Sequence, residues 1–350
     1  MFLSDKRRRR GNGRVRILGH FRRVASMPNV LCLRPESDFA RVGVVPPVSM
    51  DIDYIAPDDA QMPALLKQAD ALVIPAVGPK LPLGLFEDTR LKLVQVTGAG
   101  VDRVDVDGLR ALGIPLANVP GGSNEAIAEY AVSCASALLR RFTEATAEIR
   151  NGRYGAFRSR FLADNVDGLE GLLVGIVGLG VIGTAVARKF KQFGCRIAFF
   201  DPAPADPQAA SALAAEALGL EDLFSRSDIV SVHVPLLPAT KDLIETNVLS
   251  KAKKGAVLIQ ASRGGVVNER ALAGALESGR LAGAAVDVYS SEPPAPDNPL
   301  LKLSDAAASR AILTPHIAGI TRQSWAFLFR AAWDNVTRVV VQNQAPLHVV

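Results

Sequence analysis

The chain has 350 residues, 49% of them hydrophobic and 21% charged, with a mean hydropathy of +0.19; that length exceeds the ~100 to 200 residues of one usual domain, so two domains with a cleft between them are expected. The composition excludes a disordered, fibrous or collagen-like chain. The net charge of +5 does not mark a nucleic-acid-binding protein, because residues 1–26 alone carry nine bases (Lys6, Arg7 to Arg10, Arg14, Arg16, Arg22 and Arg23) against Asp5, and the rest of the chain is net acidic.

A basic arm of this kind can bind phosphates without sequence preference or act as a targeting segment. Here it reads as a disordered extension, dispensable for the chemistry, ahead of a structure that starts at Met27, where MPNVLCL opens a buried strand. No specific nucleic-acid partner is expected. The longest weakly polar run, Leu172 to Ala187, holds four glycines in sixteen residues and is shorter than the ~20 apolar residues of a membrane helix, so no span is expected. Cys32, Cys134 and Cys195 are odd in number and far apart, which argues against a disulfide framework or a metal site and for a reducing cytoplasm.

After Met27, strand-like runs at Val30 to Leu33, Ala71 to Pro75, Leu93 to Thr97 and Ile114 to Asn118 alternate with helical patterns, as parallel βαβ units do. A long amphipathic stretch from Asn124 to about Ile149, with Ser123 as N-cap, reads as a connecting helix. A second alternation follows, with strands near Leu173 to Val177, Arg196 to Phe200, Ile229 to Val234, Ala256 to Gln260, Ala284 to Val288 and Ile312 to Thr314. Helices Val181 to Phe193 and Glu269 to Ser278 each stop at a glycine. The predicted fold class is α/β, with doubly wound parallel sheets.

The sequence LLVGIVGLGVIG places Gly178, Gly180 and Gly183 in a GxGxxG directly after a buried strand and at the start of a helix. The first glycine permits the tight turn, the second lets backbone N–H groups approach a pyrophosphate, and the third lets the helix pack on the sheet. Asp201 ends the next strand, where a carboxylate accepts hydrogen bonds from a ribose diol and repels a 2′-phosphate. No Lys or Arg stands between Asp201 and Arg226, so NAD is preferred over NADP.

Hydride transfer to a carbonyl needs a proton donor, and histidine is the usual one. Of four histidines, His20 lies in the basic arm, His348 lies at the C-terminus, and His233 in VSVHVPL reads as a residue packed near the cofactor crevice. His316 in ILTPHIAG remains, at the carboxyl end of a strand, where open α/β sheets place their ligands. Glu292 in YSSEPP is a carboxylate suited to orient its imidazole, and Arg263 in LIQASRGG is suited to clamp a substrate carboxylate. Alone, Glu292 reads as a surface turn and Arg263 as a surface arginine. Together, each follows a strand end downstream of the glycine motif.

VTGAGVD at Val96 to Asp102, NVPGGSNEAIAEYA at Asn118 to Ala131, GLGVIG at Gly178 to Gly183, SRGGVVNE at Ser262 to Glu269, DVYSSEPP at Asp287 to Pro294 and TPHIAG at Thr314 to Gly319 resemble the NAD-dependent D-isomer-specific 2-hydroxyacid dehydrogenases, a family that includes glycerate, hydroxypyruvate, phosphoglycerate and D-lactate dehydrogenases. The resemblance covers roughly Met27 to Gln344. It implies two Rossmann-like domains: a substrate domain of residues 27–122 plus 317–350, and an NAD-binding domain of residues 123–316. It further implies that Arg263 binds the substrate carboxylate and carbonyl, Glu292 pairs with the imidazole, His316 is the acid/base, the Gly98, Ala99, Gly100 and Val101 turn donates N–H groups to the carboxylate, and Asp287 holds the nicotinamide carboxamide. Expected cofactor contacts are Gly178, Gly180, Val181, Ile182, Gly183 and Asp201 on one side, and His233, Pro235, Ala261, Arg263, Asp287, His316 and Gly319 on the other. A homodimer is implied as well, and no metal.

The chain departs from the family pattern at Gln260, often asparagine, at Leu237, often threonine, and in extra residues around Asp305 to Arg310. Relatives acting on phosphorylated acids commonly carry an arginine where this chain has Pro75, and Lys80 is the only base nearby in sequence. The expected substrate is therefore a small unphosphorylated 2-oxo acid such as glyoxylate or hydroxypyruvate, against walls from Ala76 and Val77, with Trp325 either closing the cleft or packed in the core. Three alternatives stay open: an NAD-sensing corepressor on the same fold, a phosphoglycerate-type dehydrogenase, and a formate dehydrogenase, whose glutamine–histidine pairing Glu292 argues against.

Overall fold

Runs such as Ala71–Ile74 and Leu93–Val96 are buried along their whole length, which suits strands covered on both faces by helices. The computed structural model describes residues 27–350; the expected disorder of the basic arm lies outside the described residues. The first sheet comprises β1 (Asn29–Cys32), β2 (Asp51–Tyr54), β3 (Ala71–Ile74), β4 (Leu93–Val96) and β5 (Leu116–Ala117), in the order β2-β1-β3-β4-β5. The second comprises β6 (Leu173–Val177), β7 (Arg196–Phe200), β8 (Glu216–Ala217), β9 (Ile229–Val232), β10 (Val257–Gln260), β11 (Gly283–Val286) and β12 (Ala311–Leu313), in the order β12-β11-β10-β9-β6-β7-β8. Every strand pair in both sheets is parallel. The fold is thus two doubly wound α/β units. Strand order reverses between β1 and β3 in one and between β6 and β9 in the other, the places where such sheets bind ligands.

Two strands carry no clear sequence signal. β2 is polar (DIDY) and partly exposed at the sheet edge, and β8 is two exposed residues at the opposite edge of the second sheet. The predicted helix from Asn124 to about Ile149 is two helices, Asn124–Leu139 and Phe142–Arg150, because Arg141 between them is left-handed (φ 52°). Its periodicity continues through the break while its direction does not. Ser123 precedes the first of these helices, but its hydroxyl makes no capping bond. By contrast, Asn268 caps helix Glu269–Glu277 by accepting from the Ala271 N–H, and Gly194 (φ 82°) and Gly279 (φ 69°) end their helices as expected.

The last helix, Arg322–Val340, starts at a Thr321/Ser324 capping box and returns to the first sheet, where Leu328, Phe329, Ala332 and Trp333 pack with Val30, Cys32, Val73 and Leu93. Residues Asp305–Ala308 form a one-turn helix, capped by Ser304, that buries Ala307. Among the described residues no helix is long and apolar enough to cross a membrane.

Candidate active site

Residues that follow the carboxyl ends of β1, β3, β4, β9, β10, β11 and β12 converge on one cavity of about 930 Å³. From the first sheet come Arg34, Pro75–Val77 and Thr97–Asp102; from the second come His233–Pro235, Ala261–Arg263, Asp287, Glu292 and His316. The three predicted catalytic residues, 53 sequence positions apart at their extremes, therefore share one cleft wall.

His316 stands just past β12 with φ 55°, a left-handed conformation that costs a non-glycine residue ~1 to 2 kcal/mol. The surrounding bonds hold it there. Its N–H donates to the Asp287 carbonyl at 2.8 Å, and the buried Asp287 carboxylate accepts from Thr314 Oγ1 at 2.5 Å and from the Ile317 and Ala318 N–H groups at 2.8 Å each. Tyr130 and Tyr289 brace the same turn through Thr314, at 2.7 Å and 3.1 Å. Glu292 Oε2 lies 2.7 Å from His316 Nδ1, and its other oxygen accepts from the Tyr289 N–H at 3.1 Å. Partial burial pushes the Glu292 carboxyl upward, but its bond to His316 and the charges of the imidazole and Arg263, with the Tyr289 N–H, outweigh that and hold it below the ordinary carboxylate value. With Nδ1 engaged, Nε2 is the ring nitrogen left for a substrate oxygen.

Arg263 is set by its own turn. Its Nη1 donates to the Ser262 carbonyl at 2.8 Å, and the buried Gln260 amide donates to the Arg263 carbonyl at 2.9 Å while accepting from Ser262 Oγ. Gln260 thus takes a bracing role. Arg263 Nε reaches across to Asp102 Oδ2 on the first sheet's side, at 2.9 Å. Gly100 faces the same guanidinium so closely that a Cβ there would overlap Nη2. Asp102 ends the VTGAGVD motif, and nothing local in the sequence marks its pairing with Arg263, 161 residues away.

The glycine motif divides its work in space. Gly178 has φ 95° and a Cβ there would overlap Val234; a Cβ on Gly183 would overlap the Gly178 carbonyl. Both are buried. Gly180, with nothing within 4 Å of a Cβ position, opens helix Val181–Gln192 onto a second cavity of about 520 Å³, which Val181 and Asp201 also line. Asp201 accepts from the Leu179 N–H at 2.7 Å and the Ala203 N–H at 2.9 Å, leaving two of its roughly four lone-pair sites for a diol. Ile182, His233, Pro235, Ala261 and Gly319 line the large cavity instead. A helix N-terminus, an open glycine and an acid at the next strand end fit a dinucleotide running between the two cavities.

His233 is no proton donor near neutral pH: burial pushes it down to about 3. Its Nε2 is 2.8 Å from Ser231 Oγ, and its Nδ1 is buried without a partner. Val77 and the Gly98–Val101 turn line the cavity, and Trp325 lies between cavity and core. Lys80 is exposed and does not line the cavity. Another base does: Arg34, which belongs to no sequence motif, forms part of the cavity wall.

Residues 132–318 match the family model for the NAD binding domain of D-isomer specific 2-hydroxyacid dehydrogenases. The chain is 36% identical over 268 residues to the D-3-phosphoglycerate dehydrogenase of Mycobacterium leprae, an alignment covering 77% of this chain and 48% of that protein. It thus spans about half the length of the D-3-phosphoglycerate dehydrogenases it matches. It is 35% identical over 268 residues to the glyoxylate reductase of Aeropyrum pernix, covering 76% of this chain and 78% of the other. Among solved structures, a D-lactate dehydrogenase from Treponema pallidum superposes with a TM-score of 0.74 at 30% identity, covering 93% of this chain and 99% of that one. The holo form of D-mandelate dehydrogenase from Rhodotorula graminis gives 0.78 at 25%, covering 92% and 97%. With Arg263, Glu292 and His316 on one cleft wall and the GxGxxG turn at the neighbouring cavity, the chain belongs to the D-isomer specific 2-hydroxyacid dehydrogenase family.

Proposed function

We propose that this protein interconverts a small 2-oxo acid and its D-2-hydroxy acid with NAD(H), in the cleft between a substrate-binding half (residues 27–122 and 317–350) and a cofactor-binding half (residues 123–316). The 2.7 Å contact between His316 and Glu292 on the wall of the interdomain cavity is the observation that carries this reading. In the reductive direction, Arg263 and the N–H groups of the Gly98–Val101 turn bind the substrate carboxylate. The nicotinamide supplies the hydride to C2 when bound. His316 donates a proton from Nε2 to the C2 oxygen, while Glu292 holds Nδ1 protonated and fixes the ring. Arg263 and the imidazolium both stabilise the negative charge that grows on that oxygen.

The minimal substrate is a 2-oxo acid of the size of glyoxylate or hydroxypyruvate, and the wall beyond it decides what further group is accepted. Buried, unpaired cysteines fit a reducing, cytoplasmic setting. Phe142, Ile149, Tyr154 and Leu162 are more than half exposed on two adjacent helices, which supports a homodimer that covers them. Initial rates of NADH oxidation with a panel of 2-oxo acids test the proposal; no turnover with any of them would refute it.

A further inference from the structure

The first sheet has the order β2-β1-β3-β4-β5, so its ligand-binding switch point lies between the carboxyl ends of β1 and β3. Arg34 follows β1 and Pro75–Val77 follow β3, and both segments line the large cavity. Arg34 is held flat: its guanidinium lies 4.9 Å from the Trp325 ring centroid and 4.8 Å from that of Phe329, and its side chain is 12% exposed. Only Nη1 has a partner among the described residues, Asp38 at 2.7 Å, and Nε is buried with none. The free edge, Nε with Nη2, is the one whose two parallel N–H groups match a carboxylate or phosphate.

The local charge does not balance either. Asp38 is shared with Arg41 at 3.2 Å. Arg103, only 2% exposed, pins the adjacent loop through the Pro75 and Pro79 carbonyls and leaves Nη2 buried without a partner. Asp38 is thus divided between Arg34 and the exposed Arg41, Arg103 has no carboxylate partner among the described residues, and a buried charge without a partner is costly.

We propose that Arg34 is a specificity-determining residue whose Nε–Nη2 edge receives a second anionic group, a carboxylate or a phosphate, on the end of the substrate away from its 2-oxo acid head. This rests on the dehydrogenase reading and narrows it to 2-oxo acids with an anionic tail. Ala76 and Val77 then make the apolar part of a wall that ends in a cation.

Matched substrate pairs test the proposal: oxaloacetate against 2-oxobutyrate, which differ by a terminal carboxylate, and 3-phosphohydroxypyruvate against hydroxypyruvate. The wild type should favour the anionic member of at least one pair by about tenfold or more in kcat/KM, and the pair that shows it identifies the group. Arg34→Met should bring that ratio close to one, chiefly through KM. Arg34→Lys, which keeps the charge but not the fork, should fall between. A wild-type ratio near one for both pairs, or a ratio that Arg34→Met leaves unchanged, would overturn the assignment. A second readout is the rise in Tm with NADH present on adding succinate or inorganic phosphate, relative to butyrate; it should be present in the wild type and lost in Arg34→Met. If no 2-oxo acid is turned over, the dehydrogenase reading fails, while this shift still decides the role of Arg34.

Discussion

Arg263 Nε and Asp102 Oδ2 meet at 2.9 Å across the cleft, joining the turn after β10 to the turn after β4. This pair fixes where the guanidinium points, since Nη1 is already held by the Ser262 carbonyl. Both partners are substantially exposed, at 34% and 58%, so the bond is worth less than ~1 kcal/mol of stability. Asp102→Asn should therefore leave Tm nearly unchanged and raise KM for the 2-oxo acid by about three- to tenfold, with NADH affinity preserved. Equal losses in NADH binding and substrate KM would show that Asp102 supports the cleft more generally.

His316→Ala should lower kcat by roughly 10² to 10⁴, the usual loss for a positioned acid/base, with the NADH dissociation constant little changed. Fluorescence titration of NADH alongside steady-state rates separates the two effects.

Glu292→Gln should change the acid range of the stability profile. The Glu292 carboxyl is held below its ordinary value in the fold, so its contribution is full above the unfolded carboxyl range and is lost as pH falls through the lowered folded value. Tm curves of wild type and variant over about pH 3 to 7 should converge at the acid end. The variant's kcat should fall as well, because the carboxylate that orients the imidazole is gone. Parallel curves and an unchanged kcat would break the assigned pairing.

Two glycines at the site should respond differently to alanine. A Cβ on Gly100 meets the far end of Arg263, which can swing away, whereas a Cβ on Gly264 meets the backbone of Tyr289 and Ser290. Gly100→Ala should fold normally and lose kcat/KM, while Gly264→Ala should be destabilised by several kcal/mol, as overpacking against backbone requires. Thermal melts of both variants, with rates for Gly100→Ala, check the contrast.

Asp201→Ala should narrow the preference for NADH over NADPH and cost about 1 to 3 kcal/mol of stability, since the Leu179 and Ala203 N–H groups lose their acceptor. A native enzyme that uses both cofactors equally would contradict the role of this carboxylate.

What the sequence made legible was local. Gly178, Gly180 and Gly183 sit within one strand–turn–helix, and Arg263, Glu292 and His316 each follow a strand end, so position along the chain was enough to mark them. Pairings between distant segments were not legible: Asp102 and Arg263 lie 161 residues apart, and nothing local distinguishes Asp102 from other surface acids. Arg34 belongs to no motif, and only the packing of Trp325 and Phe329 around it reveals its free edge. The turn at Arg141 was hidden because apolar periodicity runs through it, and β2 because a half-exposed edge strand tolerates DIDY.

The decisive experiment incubates the protein with NADH and hydroxypyruvate or glyoxylate and, where the product is chiral, determines its configuration, in parallel with His316→Ala. Stoichiometric NADH oxidation with formation of the D-2-hydroxy acid, slowed about 100-fold or more in the variant, is the predicted result; an L product, or a variant that turns over at close to the wild-type rate, would contradict it.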